Sequence, residues 1–177
     1  YTSGTPLCIA FLNRDARPAE YLSADDGDSS QKPSFRPGTA DYTGNVKYQG
    51  FQDPRGGGHF SGRLTLPLVA AGVVAKKMIE KRYPQLKITA FLSQVGGVPL
   101  IRDKSFPQAV SDMITAAVEQ GDSLGAVISC EVTDIPAGLG NPFFDSVESL
   151  LSHVIFAIPG IKGITFGLGF DETLIMG

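Results

Sequence analysis

Leu68-Val69-Ala70-Ala71-Gly72-Val73-Val74-Ala75 is apolar on every side of a helical turn, inside a longer helix-forming run from Leu66 to Tyr83. A helix without a polar face is one that other layers cover. The reading of this stretch therefore decides the fold, which is expected to be a mixed layer structure with this helix sandwiched inside it. Thr65 is its candidate N-cap, Pro67 is tolerated in the first turn, and Pro84 helps to end it. The second half carries Lys76, Lys77, Glu80, Lys81 and Arg82, so that end is expected to reach water.

Downstream, the pattern alternates between short apolar runs and helical periods. Residues 87–95 read as a strand closed by Gly96-Gly97. Between Pro107 and Gln120 the residues Val110, Met113, Ile114, Ala117 and Val118 recur at helical spacing. Gly121-Asp122 turns the chain into a strand over residues 124–132. A further helix is expected over residues 144–158, with Val147, Leu150, Leu151, Val154 and Ile155 on one stripe and Gly160 after its end. Residues 161–170 read as a glycine-broken strand. Upstream, residues 5–12 read as a strand led by Pro6, and residues 13–62 as one long polar segment. A connection of that length inside a compact domain is usually functional or disordered, and its clustered Arg and Gly favour function.

The chain has 177 residues, which fits a single domain or a large piece of one. With 15 Lys plus Arg against 18 Asp plus Glu the net charge is −3, which argues against a general nucleic-acid binder. A composition 42% hydrophobic and 19% charged is that of a folded chain. Cys8 and Cys130 are too few for a disulfide framework. Both lie in apolar runs and read as buried, reduced thiols of a cytoplasmic protein. No apolar run reaches the ~18 residues of a membrane span. Neither end has the look of a natural terminus, so the chain reads as a fragment, with residues 1–177 forming one incomplete domain.

Asp53-Pro54-Arg55-Gly56-Gly57-Gly58-His59-Phe60-Ser61-Gly62-Arg63, running into the helix at Thr65, is the leading candidate for chemistry. Consecutive glycines let backbone N–H groups converge on an anion. A helix start adds donors and partial positive charge. Arg55 and Arg63 add planar cationic forks suited to phosphate. There is no Gly-Lys-Ser/Thr and no preceding apolar strand, so this is neither a P-loop nor a dinucleotide fingerprint. Arg36-Pro37-Gly38-Thr39-Ala40-Asp41-Tyr42 is a second candidate, a turn that aims Arg36 and Thr39 at one point. His59 stands where an imidazole can donate to an anion or a flavin, whereas His153 reads as structural. No ligands stand at metal spacing, and no nucleophile elbow supports a serine triad. Asp25, Asp26 and Asp28 lack the alternation and closing Glu of an EF-hand and read as a solvated loop.

Taken in order, these residues resemble one family. Arg36-Pro37-Gly38-x-Ala40-Asp41-Tyr42, Lys47-Tyr48, Asp53-x-Arg55-Gly56-Gly57-Gly58, Ser61-x-Arg63 and Val69-Ala70-Ala71-Gly72-x-x-Ala75-Lys76 look like chorismate synthase. Gly138-Leu139-Gly140-Asn141-Pro142-x-Phe144-Asp145, Ile158-Pro159-x-x-Lys162-Gly163 and Gly167-x-Gly169-Phe170 continue the match. The resemblance implies an α+β fold, with helices sandwiched between antiparallel β-sheets, in a homotetramer. It implies anti-1,4 elimination of phosphate from 5-enolpyruvylshikimate 3-phosphate to give chorismate, with reduced FMN required. It places Arg36 and Arg63 on substrate anions, and His59, Phe60, Ser61 and Gly62 along the FMN. Thr39 stands where the family usually has a catalytic His, and a hydroxyl does not exchange protons near neutral pH as an imidazole does. His59, Phe60 and Gly62 also depart from the commoner Arg-Ser-Ser-Ala-Arg version of their segment. The family's N-terminal Gly-Glu-Ser-His-Gly motif and its C-terminal flavin segment do not occur in this sequence. The chain is therefore expected to be inactive by itself. The alternative expectation is a non-catalytic truncated relative that binds a phosphorylated ligand or FMN, or serves only in assembly.

Overall fold

The computed structural model describes residues 3–14, 35–53 and 57–176. Arg55, Gly56, Asp25, Asp26 and Asp28 lie outside the described residues, as do residues 15–34 and 54–56 of the long polar segment. The fold is α+β, in two compact units: Tyr1–Val74 with Leu139–Gly177, and Ala75–Gly138.

The second unit is organised by a three-stranded antiparallel sheet of order β2-β1-β3, with β1 Lys87–Val95, β2 Val98–Pro99 and β3 Ala126–Thr133. The strand expected over residues 87–95 forms with those bounds. Gly96 (φ 55°) and Gly97 (φ 85°) make the two-residue link to β2, with Val95 opposite Val98. Two positive φ values in succession are what a type I′ hairpin needs, and glycine accepts them without strain. The register of β1 on β3 runs from Lys87 opposite Thr133 to Val95 opposite Ala126, with one irregularity between Leu92 and Gln94. Ser93 is the residue left over there. Its hydroxyl donates to the Val127 carbonyl at 3.2 Å and lies 2.9 Å from Ser129 Oγ. In chain order, helices α1 and α2 precede this sheet: α1 is Asp41–Lys47 and α2 is Thr65–Arg82.

Helix α3, Gln108–Glu119, follows the hairpin. Its expected stripe is covered only in part: Val110 is fully buried, while Ile114 and Val118 stay exposed. Gly121 (φ 66°) ends it in a Schellman arrangement, Gly121 N–H donating to Val118 O and Asp122 N–H to Ala117 O. Leu86, Val95 and Val110 are the buried hydrophobic residues described, and all three belong to this unit.

The first unit contains α1, the first ten residues of α2, and α4, Val147–Ile155. Ser146 caps α4 by accepting the Ser149 N–H at 3.2 Å, so the helix starts after Phe144 rather than at it. Phe143–Asp145 forms a 3-10 turn instead.

Several expectations are corrected. The apolar half of α2 is exposed, with Leu66, Leu68, Val69 and Val73 each about half accessible or more. Among the described residues, its own unit leaves most of that face uncovered. Residues 5–12 form no strand ladder, because no described strand lies beside them. Residues 161–170 form no strand either. Gly160, Gly167 and Gly169 all have positive φ, which breaks extension, and the segment ends in a 3-10 helix, Gly169–Leu174. Cys8 and Cys130 are unpaired but exposed, not buried. His153 is exposed near the end of α4.

Candidate functional site

Arg36, Thr39 and Asp41 are joined by one tight turn. Pro37 and Gly38 (φ 71°) occupy its central positions, the type II arrangement in which the third residue needs positive φ. The turn brings the start of α1 back over Arg36. Asp41 then accepts twice from the guanidinium, Nε to Oδ2 at 2.8 Å and Nη2 to Oδ1 at 3.0 Å. The Arg36 backbone N–H adds a third bond to Oδ2 at 3.2 Å. The Thr39 hydroxyl donates to Arg36 O at 3.0 Å and accepts the Asp41 N–H at 3.3 Å. The Arg36 side-chain hydrogen bond is the main reason that the Asp41 carboxyl drops from 3.8 to about 2, against the opposing effect of its burial. Asp41 is therefore a carboxylate at any ordinary pH.

The guanidinium lies against the glycine segment. A Cβ on Gly57 (φ 79°) would come within 3.1 Å of Arg36 Nη2 and 3.6 Å of the Cα and Cβ of Ser61. Gly57 is buried, and only a glycine permits this approach in that conformation. Gly58–Phe60 then forms a 3-10 turn, as does Gly62–Leu64. The Ser61 hydroxyl caps the second turn by accepting the Arg63 N–H at 3.2 Å. Thr65 is the first residue of α2, and its hydroxyl donates back to Gly62 O at 2.8 Å. Thr65 is thus inside the helix rather than its N-cap, and Ser61 caps the 3-10 turn that leads into it.

Two consequences follow for anion binding. The N–H groups of Phe60, Ser61, Arg63 and Leu64 are used within the segment, on Gly57 O, Gly58 O, Ser61 Oγ and Ser61 O. The expected backbone cradle is therefore closed on itself at these four positions. The Arg36 guanidinium is forked onto Asp41. Arg63 is exposed on its 3-10 turn and tied to the cluster through its backbone on Ser61.

Phe60 anchors the other side. Its ring packs flat enough on α1 that a Cβ at Gly44 would overlap it at 2.5 Å, and Tyr48 lies 6.2 Å away between ring centroids. His59, Phe60, Ser61, Leu64, Thr65 and Leu68 line a recess of about 130 Å³ with Ala157 and Pro159, which follow α4. A small-molecule pocket usually spans roughly 300–1,000 Å³. The recess is smaller than that range. It offers a fixed aromatic ring, an aliphatic floor, a hydroxyl and an exposed imidazole, a set that suits the edge of a planar heteroaromatic group. Gly62 is exposed beside it, with nothing within 4 Å of a Cβ placed there.

Comparison with known proteins decides the family. The sequence profile of chorismate synthase matches residues 1–177. The chain belongs to the chorismate synthase family. It is 44% identical over 177 residues to chorismate synthase of Chitinophaga pinensis, covering all of this chain and 48% of that protein. It is 38% identical over 185 residues to chorismate synthase of Pyrococcus abyssi, covering 96% of this chain and 49% of the relative. A solved structure, "Crystal Structure of Chorismate Synthase", superposes with a TM-score of 0.63 at 26% identity, over 78% of this chain and 49% of that one. The chain spans about half the length of the relatives it matches.

Asp41 is the residue that sequence reasoning passed over. It stands in the Arg-Pro-Gly motif but draws attention only once the turn places it on Arg36. A carboxylate five residues after an arginine, across a Pro-Gly turn, is the signal that could have found it. Among the described residues no group of three His, Cys, Asp or Glu side chains stands close enough to hold a metal ion. No helix among them is long and apolar enough to cross a membrane.

Proposed function

We propose that this chain carries part of a chorismate synthase active site, which eliminates phosphate and a ring hydrogen from 5-enolpyruvylshikimate 3-phosphate in an anti-1,4 sense. The observation that carries this reading is the Arg36 guanidinium, fixed in place by Asp41 and laid against Gly57. A held, always cationic fork is what a phosphate or carboxylate needs, because little ordering remains to be done on binding. Arg63 supplies a second cation to the substrate's anionic groups.

His59, Phe60, Ser61 and Gly62 contribute one wall for FMN. Phe60 and the leucines exclude water from one edge, and the His59 imidazole and Ser61 hydroxyl are its hydrogen-bonding groups. Reduced FMN, when bound, supplies electron density that assists loss of the phosphate. Thr39 occupies the position of the family's acid. Its hydroxyl proton is engaged on Arg36 O, so its contribution is to hold the turn, or a water, rather than to deliver a proton. That observation also favours the second reading, a non-catalytic relative that keeps ligand binding. The working assembly is a cytoplasmic homotetramer in either case.

An anaerobic titration of the chain with 5-enolpyruvylshikimate 3-phosphate and with reduced FMN tests the proposal. Saturable binding, weakened by Arg36→Ala, supports it; failure to bind either compound refutes it. Chorismate release is expected to be absent from the 177-residue chain alone, and measurable turnover would overturn that part of the reading.

A further inference from the structure

We propose that Asp41 is the positioning residue of this site: it sets where the Arg36 guanidinium stands, and Thr39 locks the turn that presents Asp41. The inference rests on the reading of Arg36 as a binder of the substrate's anionic groups, and it goes beyond that reading by assigning a residue that does not itself meet the ligand.

The geometry carries the argument. An arginine side chain has four rotatable torsions, and one exposed to solvent samples many of them. Here Nε and Nη2 are both committed to one carboxylate at 2.8 and 3.0 Å. The same carboxylate holds the residue's own backbone N–H. Plane and direction of the fork are therefore both fixed. On the far side Gly57 removes the side chain that would push Nη2 away. Asp41 is itself held, because its backbone N–H donates to Thr39 Oγ1 while Thr39 bonds back to Arg36 O. The three residues form a closed loop of bonds about the Pro37-Gly38 turn. The side chain of Asp41 is 16% exposed and that of Arg36 38%, so the carboxylate is the more covered partner of the pair.

A carboxylate beside an anion site also carries an electrostatic cost, since it repels the ligand it helps to receive. Two roles therefore predict opposite results when Asp41 loses its charge. If Asp41 positions the fork, Asp41→Asn weakens ligand binding, because one of the two donors then meets an amide N–H. If it only dilutes the positive charge, Asp41→Asn strengthens binding.

The experiment measures Kd for 5-enolpyruvylshikimate 3-phosphate, and separately for inorganic phosphate, on the full chain. Each variant is held at a temperature where circular dichroism shows it folded. Asp41→Asn is expected to raise both Kd values about tenfold, the scale of one charge-assisted hydrogen bond. Asp41→Glu keeps the charge and is expected to recover most of the loss. Thr39→Val is expected to give a smaller loss, because it loosens only the turn. A merely structural Asp41 would lower the melting temperature and leave Kd unchanged. Unchanged or tighter binding by Asp41→Asn overturns the inference, provided Arg36→Ala weakens binding. If Arg36→Ala itself leaves both Kd values unchanged, the anion-binding reading of the site fails and this inference fails with it. Should Asp41→Asn not fold, Thr39→Val and Gly57→Ala decide: wild-type Kd values in both would overturn the positioning role.

Discussion

Acid titration of the Arg36–Asp41 pair puts the site's electrostatics to a quantitative test. The Asp41 carboxyl falls from 3.8 to about 2 in the fold, chiefly through its bond to Arg36. At 1.36 kcal/mol per pH unit that shift corresponds to about 2.4 kcal/mol. Arg36 is 38% exposed, so solvent screening reduces the net contribution to about 1 kcal/mol. The sign follows from linkage. A carboxyl whose folded pKa is depressed stabilises the fold above its unfolded pKa, and the contribution disappears as pH falls through the folded value. The pair's contribution is thus complete above about pH 5, declines as pH falls through the folded value near 2, and is gone at about pH 1. Asp41→Asn removes the titrating group. Urea unfolding of wild type and Asp41→Asn, followed by circular dichroism from pH 6 to pH 2, is expected to show a gap of about 1 kcal/mol above pH 5 that shrinks to a small remainder at pH 2. Two curves that stay parallel across that range, or a gap that widens on acidification, would refute the assignment.

Three further substitutions test the local geometry. Gly57→Ala places a Cβ at positive φ and against Arg36 Nη2, so a loss of about 1–2 kcal/mol in unfolding free energy is expected together with weaker phosphate binding by calorimetry. Ser61→Ala removes the acceptor of the Arg63 N–H, and a loss of about 1 kcal/mol is expected in a denaturant titration. Gly96→Val forces a β-branched residue into the hairpin's positive-φ position and onto Met113; the β1–β2 amides are then expected to lose hydrogen-exchange protection, while those pairing β1 with β3 keep it.

Elements whose residues satisfy one another locally were readable in advance. β1 has its expected bounds because the apolar run ends at two glycines that can only turn. Helix α3 and strand β3 shift by a residue or two at their ends. Helix α1 was not foreseen, since Thr43, Gly44 and Asn45 are poor helix formers. Its stability comes from Phe60 packing on Gly44, a contact between distant parts of the segment. Residues 5–12 and 161–170 have strand composition, but a strand exists only where a partner pairs with it, and composition does not supply one. The same limit applies to α2, whose apolar surface was legible and whose covering was not. At the site, the arginines, the glycines and the turn were visible as residue types. Asp41 was not, because its importance lies in a distance, and nor was the internal use of the N–H groups that had been expected to cradle an anion.

The small number of covered hydrophobic side chains has a calorimetric consequence. Leu86, Val95 and Val110 are the buried hydrophobic residues described, while much of α2 and α4 already meets water in the folded state. The heat capacity released on melting scales with apolar surface newly wetted, and globular proteins usually give roughly 12–15 cal/mol/K per residue. A chain that begins with so much of that surface wet gives less. Its free energy of unfolding then bends only gently with temperature, as a broad, shallow dome. Covering α2 with another polypeptide layer would deepen that dome and sharpen its curvature in the same step.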